Sequence, residues 1–267
     1  MKKRKLLCLC ALILTLTACL SPVSTYGEYV SQWTDTEEIV SYSRVEEWGY
    51  NFATSFPEYS YKDCYIPNAC GPVAGANIIG YYDRDYPNMI SGYQGSYDGS
   101  VYYDYVSDFY IELTISDLAV RMGTDAEGTT YIGFKRGLAA YISAAGYKGS
   151  FRDVVAAENF YYNTFVDYIE AGYPVALFLG KQNLITWSDI DANTRHFTKS
   201  TSPYAHVMVA YGYRVAKFYA LQNGAEVIVR SDIYLRVTDG YGMCRYILWD
   251  NTLQIDDGFA VMIENNN

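Results

Sequence analysis

The order of periodic segments predicts an α+β fold, with an N-terminal helical lobe followed by a C-terminal antiparallel β lobe. Three observations carry that expectation. Residues 72–82 are small and apolar and are opened by Gly71-Pro72, a pair suited to the first turn of a helix. Within 129–145, Phe134, Leu138, Tyr141 and Ile142 fall on one helical face, and Gly146 is a suitable stop. Beyond residue 175 the pattern changes. Val175-Ala176-Leu177-Phe178-Leu179 is a compact apolar run, and Ile233, Leu235 and Val237 alternate with Tyr234 and Arg236, a period of two.

Taken from the start, residues 1–18 read as a leader. Lys2, Lys3, Arg4 and Lys5 precede an apolar run, 6–16, that is too short to span a bilayer. Leu16-Thr17-Ala18-Cys19 resembles the bacterial lipoprotein signal, which implies lipidation of Cys19 and a place on the outer face of the cell membrane, or secretion. Residues 19–60 lack apolar periodicity and read as a linker and docking arm, with a short helix over 43–52 anchored by Trp48; the main domain is then 61–267. Inside it, 63–68 reads as loop, 86–105 as a surface loop rich in Gly, Tyr, Ser and Asp, 116–122 as a short helix ended by Gly123, and 164–171 as a helix. Gly172-Tyr173-Pro174 is a turn, and the polar stretch 181–203 reads as loop. Strands are expected over 206–215, 225–229, 233–237, 245–249 and 258–263, with Gly240-Tyr241-Gly242 turning between two of them.

The formal charge is −10, and more negative once the basic leader is removed, which argues against nucleic-acid binding and against an anionic-lipid patch. Membrane contact is therefore expected through the lipid anchor alone, and the protein is expected to act as a monomer. The 30 tyrosines suit a wet aromatic surface for a peptide or glycan. Cys64, Cys70 and Cys244 remain beyond the lipidation position, an odd number that marks at least one free thiol; a Cys64–Cys244 bond would leave Cys70 free. With no C-x-x-C and two histidines, no zinc site or other metal is expected.

Cys70 stands at the start of the 72–82 helix, where partial positive charge and unpaired N–H groups favour a thiolate. A nucleophilic Cys needs a base and a group to orient it. His206 opens a strong strand, whereas His196 lies in a polar run, so His206 is the expected base. An antiparallel pairing of 206–215 with 232–237 puts Thr238 and Asp239 beside His206. Asp239 is the expected orienting residue, with Asp250, at the far end of the next strand, as the alternative.

Cys70-Gly71-Pro72, His206-Val207-Met208-Val209-Ala210-Tyr211-Gly212-Tyr213 and Val237-Thr238-Asp239-Gly240-Tyr241-Gly242 together resemble papain-fold cysteine peptidases, in particular the bacterial group similar to the bacteriocin-processing peptidases. Ala171-Gly172-Tyr173-Pro174-Val175 resembles the same branch, and the likeness spans 61–250. The resemblance implies a papain-like fold and a cysteine-type peptidase without cofactors, acting on peptide or protein through an acyl-enzyme. It also implies Cys70 as nucleophile, His206 as base and Thr238 or Asp239 as third residue. The family carries a Gln shortly before the Cys to bind the oxyanion, and no Gln lies between Tyr50 and Tyr82. Asn68 is the nearest amide and the expected substitute; losing such a donor costs ~10²–10³ in rate. Two other readings use the same residues: a catalytically silent surface lipoprotein that binds peptide or glycan, and a transglutaminase-like acyltransferase.

Overall fold

Residues 70–82 carry no charged side chain, and the helix they form, α1 (Cys70–Asp83), is buried from Gly71 onward on every side. The computed structural model describes residues 33–53, 56–90, 96–97, 102–103, 108–157, 159–250 and 253–266. The leader and Cys19 therefore lie outside the described residues, as does most of the 86–105 loop.

Among the described residues three α-helices follow α1: α2 (Asp108–Met122), α3 (Tyr131–Ala144) and α4 (Tyr162–Glu170). The strands are β1 (Thr34–Ser41), β2 (Arg44–Asn51), β3 (Ser96–Tyr97), β4 (Tyr102–Tyr103), β5 (Tyr147–Asp153), β6 (Val155–Ala156), β7 (Asn159–Phe160), β8 (Val175–Leu179), β9 (Gln182–Asp189), β10 (Thr194–Ser202), β11 (His206–Gln222), β12 (Ala225–Thr238), β13 (Cys244–Trp249) and β14 (Ile255–Asn265). Ten of them form one sheet, in the order β1-β10-β9-β13-β12-β11-β8-β14-β5, with β2 paired to the distal half of β11. The chain thus has a mixed helix and sheet fold built on a large antiparallel sheet. Among the described residues no helix is long and apolar enough to cross a membrane.

β11 organises the sheet because its side chains alternate between two cores. Val207, Val209 and Tyr211 pack under α1, α2 and α3, whereas Met208 and Ala210 meet Phe165 and Ile169 of α4 on the opposite face. The helices approach closely where side chains are missing. On α3, a Cβ at Gly133 would stand 2.4 Å from the Met122 carbonyl oxygen, and one at Gly137 would stand 2.5 Å from the Met122 nitrogen. Glycine at both positions lets the end of α2 rest against α3.

The distal half of the sheet closes on itself. β1 pairs with β10 and β2 with β11, and only Tyr42 and Ser43 separate β1 from β2. Their N–H groups donate to the Asn193 and Tyr219 carbonyls. The cycle β1-β10-β9-β13-β12-β11-β2 is therefore a barrel. Tyr42, Ile185, Phe197, Ala216, Phe218 and Tyr234 fill it, with Val45 and Tyr246 against them.

The structure departs from the sequence expectations at several elements. The helix read over 43–52 is β2, and the described part of the 19–60 arm supplies two strands of the main sheet. The loop read over 181–203 is the β9–β10 hairpin. The strands read separately over 225–229 and 233–237 are one strand, joined to β11 by an Asn223-Gly224 turn with positive φ at both residues. Strands also come from 34–51 and 147–153, so they are not confined to a C-terminal lobe.

Candidate active site

Two turns and one helix end build the site. The first turn begins at Asn77 in the middle of α1. Its buried amide accepts from the Tyr59 N–H at 2.8 Å and donates to the Tyr59 carbonyl at 3.2 Å, fixing the incoming chain against the helix. Ser60 and Asp63 then form a capping box. The Lys62 N–H donates to Ser60 Oγ, and the Ser60 N–H donates to Asp63 Oδ2 at 2.7 Å. The result is a 3-10 turn, Tyr61–Asp63, that presents the Tyr61 ring. The second turn follows β12. Asp239 Oδ1 accepts from the N–H groups of Tyr241 (2.8 Å) and Met243 (3.2 Å). The Tyr61 N–H donates to the Gly240 carbonyl at 3.1 Å, which ties the two turns together.

Cys70 opens α1. Ala69, the residue before it, offers no side-chain cap, so the first-turn amides remain for other acceptors. The sulfur faces the N–H groups of Val207, Gly71 and Cys70 itself and the Tyr61 hydroxyl. Burial pushes the thiol up from its ordinary range, and those donors oppose the shift without reversing it.

His206 is 4 % exposed at the first position of β11. Its Nε2 lies 2.7 Å from the Asp239 carbonyl oxygen. A carbonyl only accepts, so Nε2 carries the proton and Nδ1 presents a lone pair. The Tyr61 hydroxyl donates to Nδ1 at 3.3 Å. The Tyr241 ring stacks on the imidazole at 5.3 Å, and Trp33 meets the edge of Tyr241 at 6.2 Å. Burial depresses the His206 pKa to about 4, with the Asp239 carbonyl pulling weakly the other way. The imidazole is thus neutral at neutral pH.

The structure brings Cys70, His206 and Asp239 to one place but changes the role of Asp239. Its backbone, not its carboxylate, holds the imidazole. The carboxylate is fully buried and turned to Arg245, whose Nε lies 2.9 Å from Oδ2 at an angle outside hydrogen-bond geometry, so that contact is a charge pairing. Burial raises the Asp239 pKa, opposed by the Tyr241 N–H and the Arg245 charge. Thr238, the neighbouring candidate, is buried in the strand pair with Val209 and Cys244.

Asn68, the expected oxyanion donor, is engaged elsewhere through one of its amide protons. Its Nδ2 donates to the Ala126 carbonyl at 2.5 Å, tying the approach to Cys70 to the turn between α2 and α3. Asp250 is corrected as well. It follows Trp249, which pairs with Ile233, itself opposite Val215, so it stands roughly 30 Å along the sheet from His206 at ~3.3 Å per residue. There it lies 3.9 Å from Lys199. His196 is on β10, with Nε2 3.5 Å from Glu37.

Cys64, Cys70 and Cys244 are all free thiols. Cys244 donates to Glu58 at 2.8 Å and is pushed up to about 12, chiefly by burial. Among the described residues no group of three or more His, Cys, Asp or Glu could hold a metal ion.

Comparisons with protein-family models, with curated proteins and with solved structures each returned no match. Sequence reasoning missed Tyr61, although Ser60-x-x-Asp63 just upstream of Cys70 was a legible capping box, a signal of a fixed turn before the helix.

Proposed function

We propose that the chain is an exported thiol hydrolase with a papain-like fold, a cysteine-type peptidase that acts as a monomer on peptide or protein and is held at the bacterial cell surface through lipid on Cys19. The observation that carries the reading is a thiol at an uncapped helix start, in contact with the Val207 N–H and the Tyr61 hydroxyl, beside a buried imidazole in the Nε2–H form whose Nδ1 accepts from that same hydroxyl. His206 takes the Cys70 proton as sulfur attacks the carbonyl carbon, and the Cys70 N–H faces the developing oxyanion. The leaving amine departs with the proton held by His206, and water then releases the acyl group from sulfur.

Both groups rest neutral, because burial raises the thiol and lowers the imidazole. The thiolate is thus formed only when the proton moves to His206, and thiol reactivity climbs toward alkaline pH without a plateau near pH 6. Hydrolysis of a fluorogenic peptide library, with site-mapped iodoacetamide labelling, tests the reading. Cys70→Ala should abolish both hydrolysis and the label at position 70. Hydrolysis that survives this change overturns the assignment. The same neutral pair favours a second reading, a surface lipoprotein that binds peptide or glycan with an inert thiol. It predicts binding without turnover and a Cys70 no faster than a free thiol. The anchor is tested separately: radiolabelled palmitate should enter the native chain and not Cys19→Ala.

A further inference from the structure

We propose that the Tyr61 hydroxyl is the bridge by which the Cys70 proton reaches His206, so that the catalytic unit is Cys70–Tyr61–His206 with the Asp239 carbonyl behind it. The inference rests on the thiol-hydrolase reading and adds a residue to it. The hydroxyl donates to His206 Nδ1 at 3.3 Å and faces the Cys70 sulfur, so one oxygen touches both reacting groups. Its position is built rather than incidental. The capping box sets the turn, the Tyr61 N–H is bound to the Gly240 carbonyl, and Ser60 bridges Tyr241. The ring lies over the imidazole at 6.0 Å and against Tyr241 at 5.3 Å.

The tautomer sets the direction of transfer. With the Nε2 proton on the Asp239 carbonyl, Nδ1 is the atom that receives a proton, and Tyr61 already donates to it. In the transfer, Cys70 S–H gives its proton to the Tyr61 oxygen as that oxygen gives its own to Nδ1. Thiolate and imidazolium form, and Tyr61 ends as it began, a neutral phenol. The phenol then donates to the thiolate, a charge-assisted bond that no resting thiol makes. A hydroxyl here also bears on the missing upstream Gln: the charge-stabilising donor beside the sulfur comes from a Tyr nine positions before Cys70. The titratable groups around the pair are Tyr61, Tyr241 and Asp239, the last already engaged with Arg245.

The test is the rate of iodoacetamide alkylation at Cys70 against pH, in the full chain, for Tyr61→Phe and His206→Gln. Phe keeps the ring contacts and removes only the oxygen. The bridge predicts that Tyr61→Phe lowers the rate at pH 7 about tenfold and moves the alkaline limb up by about one pH unit. Tyr61→Phe should cost clearly less in the His206→Gln background than in the native chain, since without its acceptor the hydroxyl keeps only its bond to the thiolate; equal losses in both backgrounds overturn the bridge. An unchanged or faster rate in Tyr61→Phe overturns the bridge; a faster rate would mark Tyr61 as a cover over the sulfur. If His206→Gln slows alkylation and Tyr61→Phe does not, the bridge fails and the Cys–His reading stands. If neither slows it, the Cys–His reading itself falls. Difluorotyrosine at position 61 retains the hydroxyl and the fold while making it a stronger donor, so the limb should move to lower pH, and a limb that stays in place overturns the bridge.

Discussion

At the scale of single residues, the neutral, buried state of His206 has a cost in acid. An unfolded imidazole takes up its proton near pH 6.5, whereas in the folded chain this happens only near pH 4. The unfolded state therefore binds more protons across that interval. The stabilisation is complete above about pH 6.5 and falls as pH drops toward 4, by on the order of 3 kcal/mol. Urea midpoints measured from pH 7.5 to 4 should show this decline, and His206→Gln should flatten it; an equal decline in both proteins would exclude His206 as its source. Asp239 gives a second test at this scale. Because its carbonyl orients the imidazole, Asp239→Asn keeps the orienting atom, and an amide oxygen still accepts from Tyr241 and Met243. Alkylation and hydrolysis per folded molecule should change less than about threefold, against the ~10⁴-fold loss typical when a triad carboxylate is replaced. Stability should fall by about 2 kcal/mol, since Arg245 loses its partner yet keeps some access to water. A loss of activity in the triad range would restore the carboxylate to the catalytic role.

At the scale of elements, α1, α3, β8 and the first half of β11 were legible because each buries one continuous apolar pattern, and local sequence records that directly. The β9–β10 hairpin was not. Its strands surround a narrow barrel, so Trp187 and Phe197 point inward while Thr186, Ser188, Thr198 and Lys199 do not join that core, and so sparse an apolar signal reads as loop. β2 misled for a related reason: Trp48 looked like an anchor but is 47 % exposed. The site divides the same way. Cys70 and His206 carry side-chain chemistry that marks them in the sequence, while a backbone carbonyl as orienting group leaves no residue-level trace, and Tyr61 is one of 30 tyrosines. Packing between elements supplies a third prediction. A glycine inside an exposed helix usually gains ~1 kcal/mol on replacement by Ala. Gly137 should do the opposite, because its added Cβ would meet Met122 backbone that has no free end to swing away. Gly137→Ala should lower stability by about 2–3 kcal/mol in urea unfolding; a neutral or stabilising result would show that α2 and α3 part without penalty.

At the scale of the whole molecule, the barrel ties the N-terminal arm to the site. β1 and β2 come from the N-terminal arm, yet they cover the open edges of β10 and the distal half of β11. β11 in turn carries His206 at its other end. Closure of the barrel and placement of the base thus belong to one strand, and the aromatic core of Tyr42, Phe197, Phe218 and Tyr234 connects them through a continuous sheet. A chain reduced to 61–267, the domain boundary that the sequence suggests, would lose both closing strands, the Ser60 cap and the Tyr59 clamp on Asn77. Unpaired edges on β10 and β11 would then face solvent beside an opened aromatic core, a combination that leads to edge pairing and aggregation. A chain beginning at residue 33 should stay soluble, unfold in one cooperative step and keep Cys70 reactivity. A chain beginning at residue 61 should bind a hydrophobic dye, elute as aggregate and show Cys70 alkylation no different from an unfolded thiol. Size-exclusion chromatography with site-mapped labelling separates the two, and a folded, reactive 61–267 fragment would show that the barrel and the site are independent.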